Sequence, residues 1–167
     1  MSDDTSARWS LPLLQPGQAQ KEVFHNEALA ALDLLAQPAV TSAGGNSPPG
    51  DPAPGDCWIV GDSPVGAWAG HADELAGWTA GGWRFVAPRD GMLIWVADEG
   101  VFARRADGAW AYGDFPLSSV TVAGSQVVGP RRPAIADPSG GAASDAESRT
   151  AIVAILGALR AHGLIEN

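Results

Sequence analysis

The stretch from Trp68 to Trp78 contains the residue types that bind sugars. The flat apolar face of a tryptophan ring stacks on the C–H face of a sugar ring, and histidine or carboxylate side chains nearby hydrogen-bond to the sugar hydroxyls. Both tryptophans stand close to glycines in a segment expected to form loops, with His71 and Asp73 between them. We therefore predict a shallow glycan site formed by Trp68, His71, Asp73 and Trp78. The alternative is that these rings are core, as expected for Trp58, Trp83 and Trp95 on predicted strands.

The remaining reactive residues do not form a catalytic set. Asp98 and Glu99 are adjacent and precede Gly100. This pattern is typical of a solvated turn, whereas the two carboxylates of a glycosidase lie about 5 to 10 Å apart across a cleft. The sequence contains no nucleophile elbow, phosphate-binding loop or zinc-ligand spacing, and Cys57 is the only cysteine. The sequence therefore predicts a protein that is not an enzyme and that uses no metal or cofactor.

Composition and charge exclude several kinds of partner. The chain of 167 residues has a formal net charge of −9, which disfavours binding to nucleic acid phosphates or to an anionic membrane surface. It has no signal-peptide pattern at its start and no apolar run long enough to span a bilayer. We expect a soluble protein that folds in a reducing cytoplasm. Its 21 glycines and 13 prolines favour short strands and many turns.

The order of patterns along the chain predicts an α+β fold. An N-terminal arm and helix are expected within residues 1–40, the helix running from about Gln18 to Gln37. A small antiparallel β domain is expected at 57–128, where short apolar stretches alternate with turn signals such as Asp107–Gly108. A capped C-terminal helix is expected at 142–165. Segments 41–56 and 129–141 are rich in glycine and proline and are expected to be linkers.

Both predicted helices have apolar stripes that favour assembly. Because Ile152 and Ile155 place β-branched residues at both core positions of a heptad, the C-terminal helix favours a bundle of three or more strands. A helix of this length is marginal alone in water and needs a partner, which in the alternative interpretation is its own β domain. We predict a homotrimer, with these residues at the oligomerisation surface: Phe24, Ala28, Leu32, Leu35, Ile152, Ile155, Leu156 and Leu159.

Three stretches resemble a known family. They are LPLLQPGQAQKEVFHNEAL (11–29), GAWAGHADELAGWTAGGWRFVAPRDGMLIWVADEG (66–100) and IADPSGGAASDAESRTAIVAILGALRAHGLI (135–165). The first two resemble DUF2793, a family of unknown function with members in phages, prophages and gene transfer agents. The third resembles the ends of many phage tail proteins. The resemblance implies a virion structural component, trimeric, made in the bacterial cytoplasm and assembled with other virion proteins. It carries over no catalytic residues.

These observations leave three hypotheses. The first is a tail fibre or head spike component for host attachment, whose β domain binds a bacterial surface polysaccharide. The second is a structural adaptor that holds a different receptor-binding subunit on the particle. The third is an envelope-degrading enzyme, which requires opposed carboxylates in a cleft. A platform of exposed tryptophans favours the first hypothesis, and fully buried tryptophans favour the second.

Overall fold

A computed structural model describes residues 4–15, 17, 21–139, 145–161 and 164–166. The chain forms two compact units, Met1–Phe115 and Pro116–Asn167. The first unit contains one α-helix, a short 3-10 helix at Gly66–Trp68 and eight strands among its described residues: α1 (Lys21–Leu35), β1 (Ala39–Val40), β2 (Ser42–Gly45), β3 (Cys57–Val60), β4 (Leu75–Thr79), β5 (Gly82–Val86), β6 (Leu93–Val96), β7 (Val101–Ala106) and β8 (Ala109–Tyr112). The second contains β9 (Val120–Val122), β10 (Ser125–Val128) and α2 (Ala146–Ala161).

The first unit is built from two four-stranded mixed sheets. The first sheet has the strand order β2-β3-β4-β5, and the second has the order β1-β6-β7-β8. Strand β2 is parallel to β3, and β1 is parallel to β6, while the other pairs in both sheets are antiparallel. The α+β class is confirmed, but the prediction of a purely antiparallel domain was wrong. The parallel strands come from residues 39–45, which sequence patterns assigned to the end of the helical region and to a linker.

The predicted linker 41–56 therefore includes regular structure. Strand β2 pairs with β3 although it contains two glycines, because the partner strand is fully buried and holds it in place. Gly61 packs against the carbonyl of Gly44 so closely that a Cβ at Gly61 would collide with it. Tertiary contacts have overridden a local composition that is typical of loops.

The main core lies between the two sheets. Strand β3 alternates, with Cys57 and Ile59 in the main core and Trp58 and Val60 in a separate cluster on its other side. The other buried members of the main core come from α1 and both sheets: Leu34, Val40, Leu75, Ile94, Val96 and Ala103. Leu34 fits because Gly77 on β4 has no Cβ, which would collide with the Leu34 side chain. Burial in this core raises the pKa of the Cys57 thiol to about 11.

The described N-terminal arm is tied to α1 by one buried carboxylate. Asp33 accepts hydrogen bonds from the Ser6 hydroxyl at 2.6 Å and from the backbone N–H groups of Arg8 and Trp9 at 2.9 and 2.8 Å. The Arg8 guanidinium donates in turn to the carbonyls of Asp33 and Leu34 near the end of the helix. The buried carboxyl group is tolerated here because three donors form hydrogen bonds to its oxygens. The arm is thus part of the first unit.

Tight turns join the antiparallel strands where the sequence indicated them. Asp107 and Gly108 both have positive φ, 52° and 72°, as a two-residue turn between β7 and β8 requires. The turn at 98–100 is also confirmed, since Gly100 has a φ of 65° and donates to the Val96 carbonyl. The turn residues in the sequence therefore predicted the positions of these turns correctly.

The second unit contains a hairpin and a helix. The predicted β domain extended to residue 128, but β9 and β10 belong to this second unit and not to the two-sheet unit. Helix α2 is capped by Asp145, which accepts hydrogen bonds from the backbone N–H and hydroxyl of Ser148. These bonds lower the pKa of Asp145. The sequence predicts a cap at Ser144, from its spacing to Glu147, and a stop at Gly163, and both residues lie outside the described part of the chain.

Candidate functional site

The predicted glycan residue Trp68 is buried. Only 1% of its surface is exposed, since the short 3-10 helix turns its ring onto the first sheet. Its ring centroid lies 6.1 Å from that of Trp58 and 5.4 Å from that of Trp83, and Trp83 lies 5.0 Å from Trp78. We call Trp58, Trp68, Trp78 and Trp83 the tryptophan cluster. The prediction that Trp68 offers a free ring in a loop was wrong. Burial of so large an apolar ring against the sheet stabilises the fold more than exposure to water does.

Trp78 also differs from its expected setting. It lies in strand β4, directly opposite Trp83 of β5, and it is half-buried. The two rings meet edge to face with an interplanar angle of 64°. Such pairs stabilise a sheet through cross-strand packing. Trp78 therefore contributes to the outer layer of the cluster and not to a loop.

The polar members of the predicted site are occupied by structural contacts. His71 stacks on Phe85 with ring centroids 3.6 Å apart, and its Nδ1 lies 2.8 Å from a carboxylate oxygen of Glu74. Asp73 forms an ion pair with Arg105 at 3.3 Å, and its backbone carbonyl accepts a hydrogen bond from the indole N–H of Trp110. His71 adjoins the tryptophan cluster through Phe85, whereas Asp73 contacts Arg105 and Trp110 of the second sheet. The polar groups of the predicted site therefore have different structural partners.

An exposed aromatic surface lies on the second sheet instead. Trp95 of β6 and Phe102 of β7 face each other directly across the strands, with ring centroids 5.1 Å apart at 71°. They are 38% and 44% exposed, whereas their chain neighbours Ile94, Val96 and Ala103 point into the main core. Phe115 is 53% exposed and lines the same shallow trough of about 400 Å³. We call Trp95, Phe102 and Phe115 the aromatic surface.

Polar groups border the aromatic surface. Asp114 lines the trough, and its carboxylate lies 3.6 Å from the guanidinium of Arg104, which follows Phe102 on the same face of β7. At this distance the two side chains form an ion pair but not a hydrogen bond. The Nε of Arg104 is shielded from solvent and has no acceptor among the described residues. An exposed carboxylate and a partly exposed guanidinium therefore lie beside two exposed rings.

Sequence reasoning assigned Trp95 to the core and missed this surface. Alternation in LIWV predicts correctly that Leu93 and Trp95 share one face and Ile94 and Val96 the other. It does not say which face is covered, since both are apolar. A sheet that is buried on one side only leaves its second apolar face in solvent. Arg104 could have indicated the exposed face. It is a charged residue two positions after Phe102, and so lies on the same face of β7.

A more polar cleft occupies the space between the arm, α1 and the β4–β5 hairpin. Its volume is about 460 Å³, and Glu27 and Arg84 line it together with Asn26 and Asp33. Glu27 and Arg84 bind each other through two hydrogen bonds of 2.7 Å, and Asn26 bonds to the backbone of Leu14. The polar groups of this cleft hold the fold together.

The predicted oligomerisation residues differ in exposure. On α1, Phe24 is 80% exposed, and Ala28 and Leu32 are also exposed, while Leu35 packs against the main core. The helix was expected to be buried around much of its circumference. In the single chain its buried residues are Asp33 and Leu34. On α2, Ile152 and Ile155 are exposed, Leu156 is buried within the second unit, and Leu159 is half-buried.

The described residues contain no group of three or more His, Cys, Asp or Glu side chains that could hold a metal ion. In the same part of the chain, no helix combines the length and the apolar character that crossing a bilayer requires.

These features define a class: a small α+β protein whose two mixed sheets enclose one core, with an aromatic cluster on one side and an exposed aromatic surface on the other. The family described as "Protein of unknown function (DUF2793)" matches residues 25–111, which is more than half of the chain. The chain belongs to the DUF2793 family. The match begins within α1 and ends in β8, so it covers both sheets. Neither a curated protein nor a solved structure matches the chain significantly.

Proposed function

We propose that the chain is a non-catalytic attachment subunit of a phage-type particle, and that its aromatic surface binds a bacterial surface glycan. The observation that carries this proposal is the exposed pair of Trp95 and Phe102 on the outer face of the second sheet. The resemblance to proteins of phages, prophages and gene transfer agents supports the setting: a tail fibre or head spike, made in the bacterial cytoplasm and assembled into the virion with other virion proteins.

The composition of the aromatic surface favours a sugar over a purely apolar ligand. An exposed tryptophan offers a flat apolar face, while at its border the Asp114 carboxylate can accept hydrogen bonds and the partly exposed Arg104 guanidinium can donate them. Sugar rings present the same combination of C–H faces and hydroxyl edges. The trough is shallow and open along a strand pair, which suits a polysaccharide chain that passes across it.

Binding at one such surface is expected to be weak, because few groups contact the ligand. Several surfaces on one particle convert weak single contacts into strong attachment when the spacing of host sugars allows simultaneous binding. We therefore retain the homotrimer as part of the proposal. Its support in the first unit is on α1, where the apolar side chains of Phe24 and Leu32 are open to solvent.

The second candidate is a structural adaptor that anchors another receptor-binding subunit. The exposed side of α1 favours it, since an apolar helix side of this kind also suits a different virion protein. The burial of Trp68 favours it as well, because Trp68 was expected to be part of an exposed platform.

The test measures adsorption of purified protein to host cells and to their extracted polysaccharide. Changing Trp95 and Phe102 to alanine is expected to lower polysaccharide affinity at least about tenfold, the usual result of removing a central aromatic contact. Val65→Ala is the matched control, since Val65 is an exposed apolar side chain elsewhere in the first unit. Thermal unfolding of both variants checks that the fold is intact.

The outcomes separate the two candidates. Loss of polysaccharide binding in the aromatic variant alone supports attachment. If the unaltered protein binds no polysaccharide but is retained on purified particles through α1, the adaptor is correct, and Phe24→Ala then reduces that retention.

A further inference from the structure

The β9–β10 hairpin exposes an apolar face. Register pairs Val120 with Val128, and Val122 stands two residues beyond Val120, so these three valines share one face of the hairpin. All of them are exposed, and the opposite face carries Thr121 and Gln126. A two-stranded hairpin alone is marginally stable in water. This hairpin therefore requires a cover for its valine face.

Among the described residues, no further strand pairs with either edge of the hairpin. Strands at the edge of a sheet are normally guarded by charged residues or proline. Between Leu117 and Val128 the sequence LSSVTVAGSQVV contains neither. A segment of this kind, in a chain of net charge −9, brings no like charges together when identical copies meet along it. The uncharged surface thus suits another copy of the same chain.

Helix α2, in the same unit, also has an exposed apolar surface without charged residues. Its residues 150–159, TAIVAILGAL, carry no charge, and Ile152, Val153 and Ile155 are exposed. Leu156, one turn after Ile152, and the ion pair of Arg160 with Asp137 at 2.8 Å attach the helix to its own chain. Among the described residues of the second unit, the buried apolar side chains are Leu156 and Ile165. The unit has too small a core to be stable by itself.

We infer that the second unit is an assembly module whose valine face packs against the same faces of two further copies, so that the hairpin belongs to the trimer core. The inference rests on the homotrimer of the proposed function and adds a contact surface to it. A threefold arrangement follows from α2, whose β-branched residues at both heptad core positions favour three strands. In a closed threefold assembly, the valine face of each copy is covered by the same type of contact with its neighbours.

The test uses the full chain with Val120→Thr and Val122→Thr combined, because threonine keeps the branched shape and strand propensity of valine but adds a hydroxyl. The mass from light scattering is measured over a range of concentrations. We expect a trimer for the unaltered protein, and a dissociation constant raised at least about tenfold for the variant. Gln126→Thr, on the opposite face, is the matched control and should leave the mass unchanged.

Two further measurements separate assembly from folding. All seven tryptophans lie between residues 9 and 110, so their fluorescence reports the fold of the first unit. It should be the same in every variant. Ala123 in the hairpin turn has a φ of 48°, which glycine adopts more readily. Adding Ala123→Gly to the valine variant therefore stabilises the hairpin without altering its valine face.

If Ala123→Gly restores assembly to the valine variant, the valines only hold the hairpin together and the inference is wrong. A trimer that is unaffected by the valine changes overturns the inference but leaves the proposed homotrimer in place. A monomer or dimer of the unaltered protein overturns both assembly proposals. Glycan binding by a single aromatic surface is measured separately and does not depend on these results.

Discussion

The two aromatic pairs of the first unit have similar strand pairing but differ in exposure, since Trp78 and Trp83 are half-buried and the other pair is exposed. Trp78 faces Trp83 across β4 and β5, and Trp95 faces Phe102 across β6 and β7, each as an edge-to-face pair. The 3-10 helix brings Trp68 onto the first pair and adds a buried layer. The second pair has no such cover among the described residues and stays exposed.

The difference shows that the covering segment, and not the strand sequence, decides whether an aromatic pair is core or surface. The loop between β3 and β4 is long enough to fold back and supplies Trp68. The connection between β6 and β7 is a tight turn at 97–100 that cannot do so.

The largest expected effect is on stability. Replacing Trp68 by alanine should lower the free energy of unfolding by about 3–5 kcal/mol, because it leaves a large cavity in the tryptophan cluster. Trp95→Ala should lower it by only about 1 kcal/mol, since the ring is partly in water and loses mainly its contact with Phe102. Denaturant unfolding of both variants measures the two values. Equal losses would mean that both rings are core.

A smaller effect concerns the core between the two sheets. Burial raises the pKa of Cys57 from 9.0 to about 11, so the folded protein keeps the thiol neutral while the unfolded chain ionises it from about pH 9. The stabilising contribution is complete below pH 9 and is lost as the pH rises to about 11, a loss of roughly 2–3 kcal/mol. Unfolding of Cys57→Ala should depend less steeply on pH in this range. Identical slopes would indicate that the sheets leave Cys57 open to water.

The smallest effect is spectroscopic. Of the tryptophans, Trp9 and Trp95 are the exposed ones, so a soluble quencher should act mainly on their fluorescence. Trp95→Phe should remove part of the quenchable signal, and bound polysaccharide should protect it in the unaltered protein. Trp68→Phe serves as the matched change in the tryptophan cluster. A larger loss of quenchable signal from Trp68→Phe would reverse the assignment of buried and exposed rings.

Local patterns predicted the parts of the fold that depend on neighbouring residues. The helix at Lys21–Leu35, the turn at Asp107–Gly108 and the helix at Ala146–Ala161 follow from periodicity, turn residues and capping chemistry. Strands β1 and β2 could not be predicted in this way. They are held by partners distant in sequence, as in the pairing of Val40 with Val96, and the two glycines of β2 favour a loop when considered alone.

The candidate site was harder to predict because exposure is a property of the whole fold. Trp68 next to two glycines has the local appearance of a loop residue, yet those glycines permit the bend that brings it onto the sheet: Gly66 and Gly70 have φ of 62° and 88°. Trp95 in a strand has the appearance of a core residue. Both expectations were wrong because the exposure of a ring depends on which segment of the chain covers it. A single sequence does not specify that segment.

The segment 39–45 has a mechanical consequence. It contributes β1 to the second sheet and β2 to the first, and only Thr41 separates these strands. The sheets are therefore joined by the backbone itself as well as by the core between them. Strand β1 finds its partner β6 more than fifty residues later, so the second sheet closes only after most of the first unit has emerged from the ribosome. A force that pulls the two sheets apart must break β1 from β6 or β2 from β3, so the unit should resist tension as one body until one of these short parallel pairs gives way.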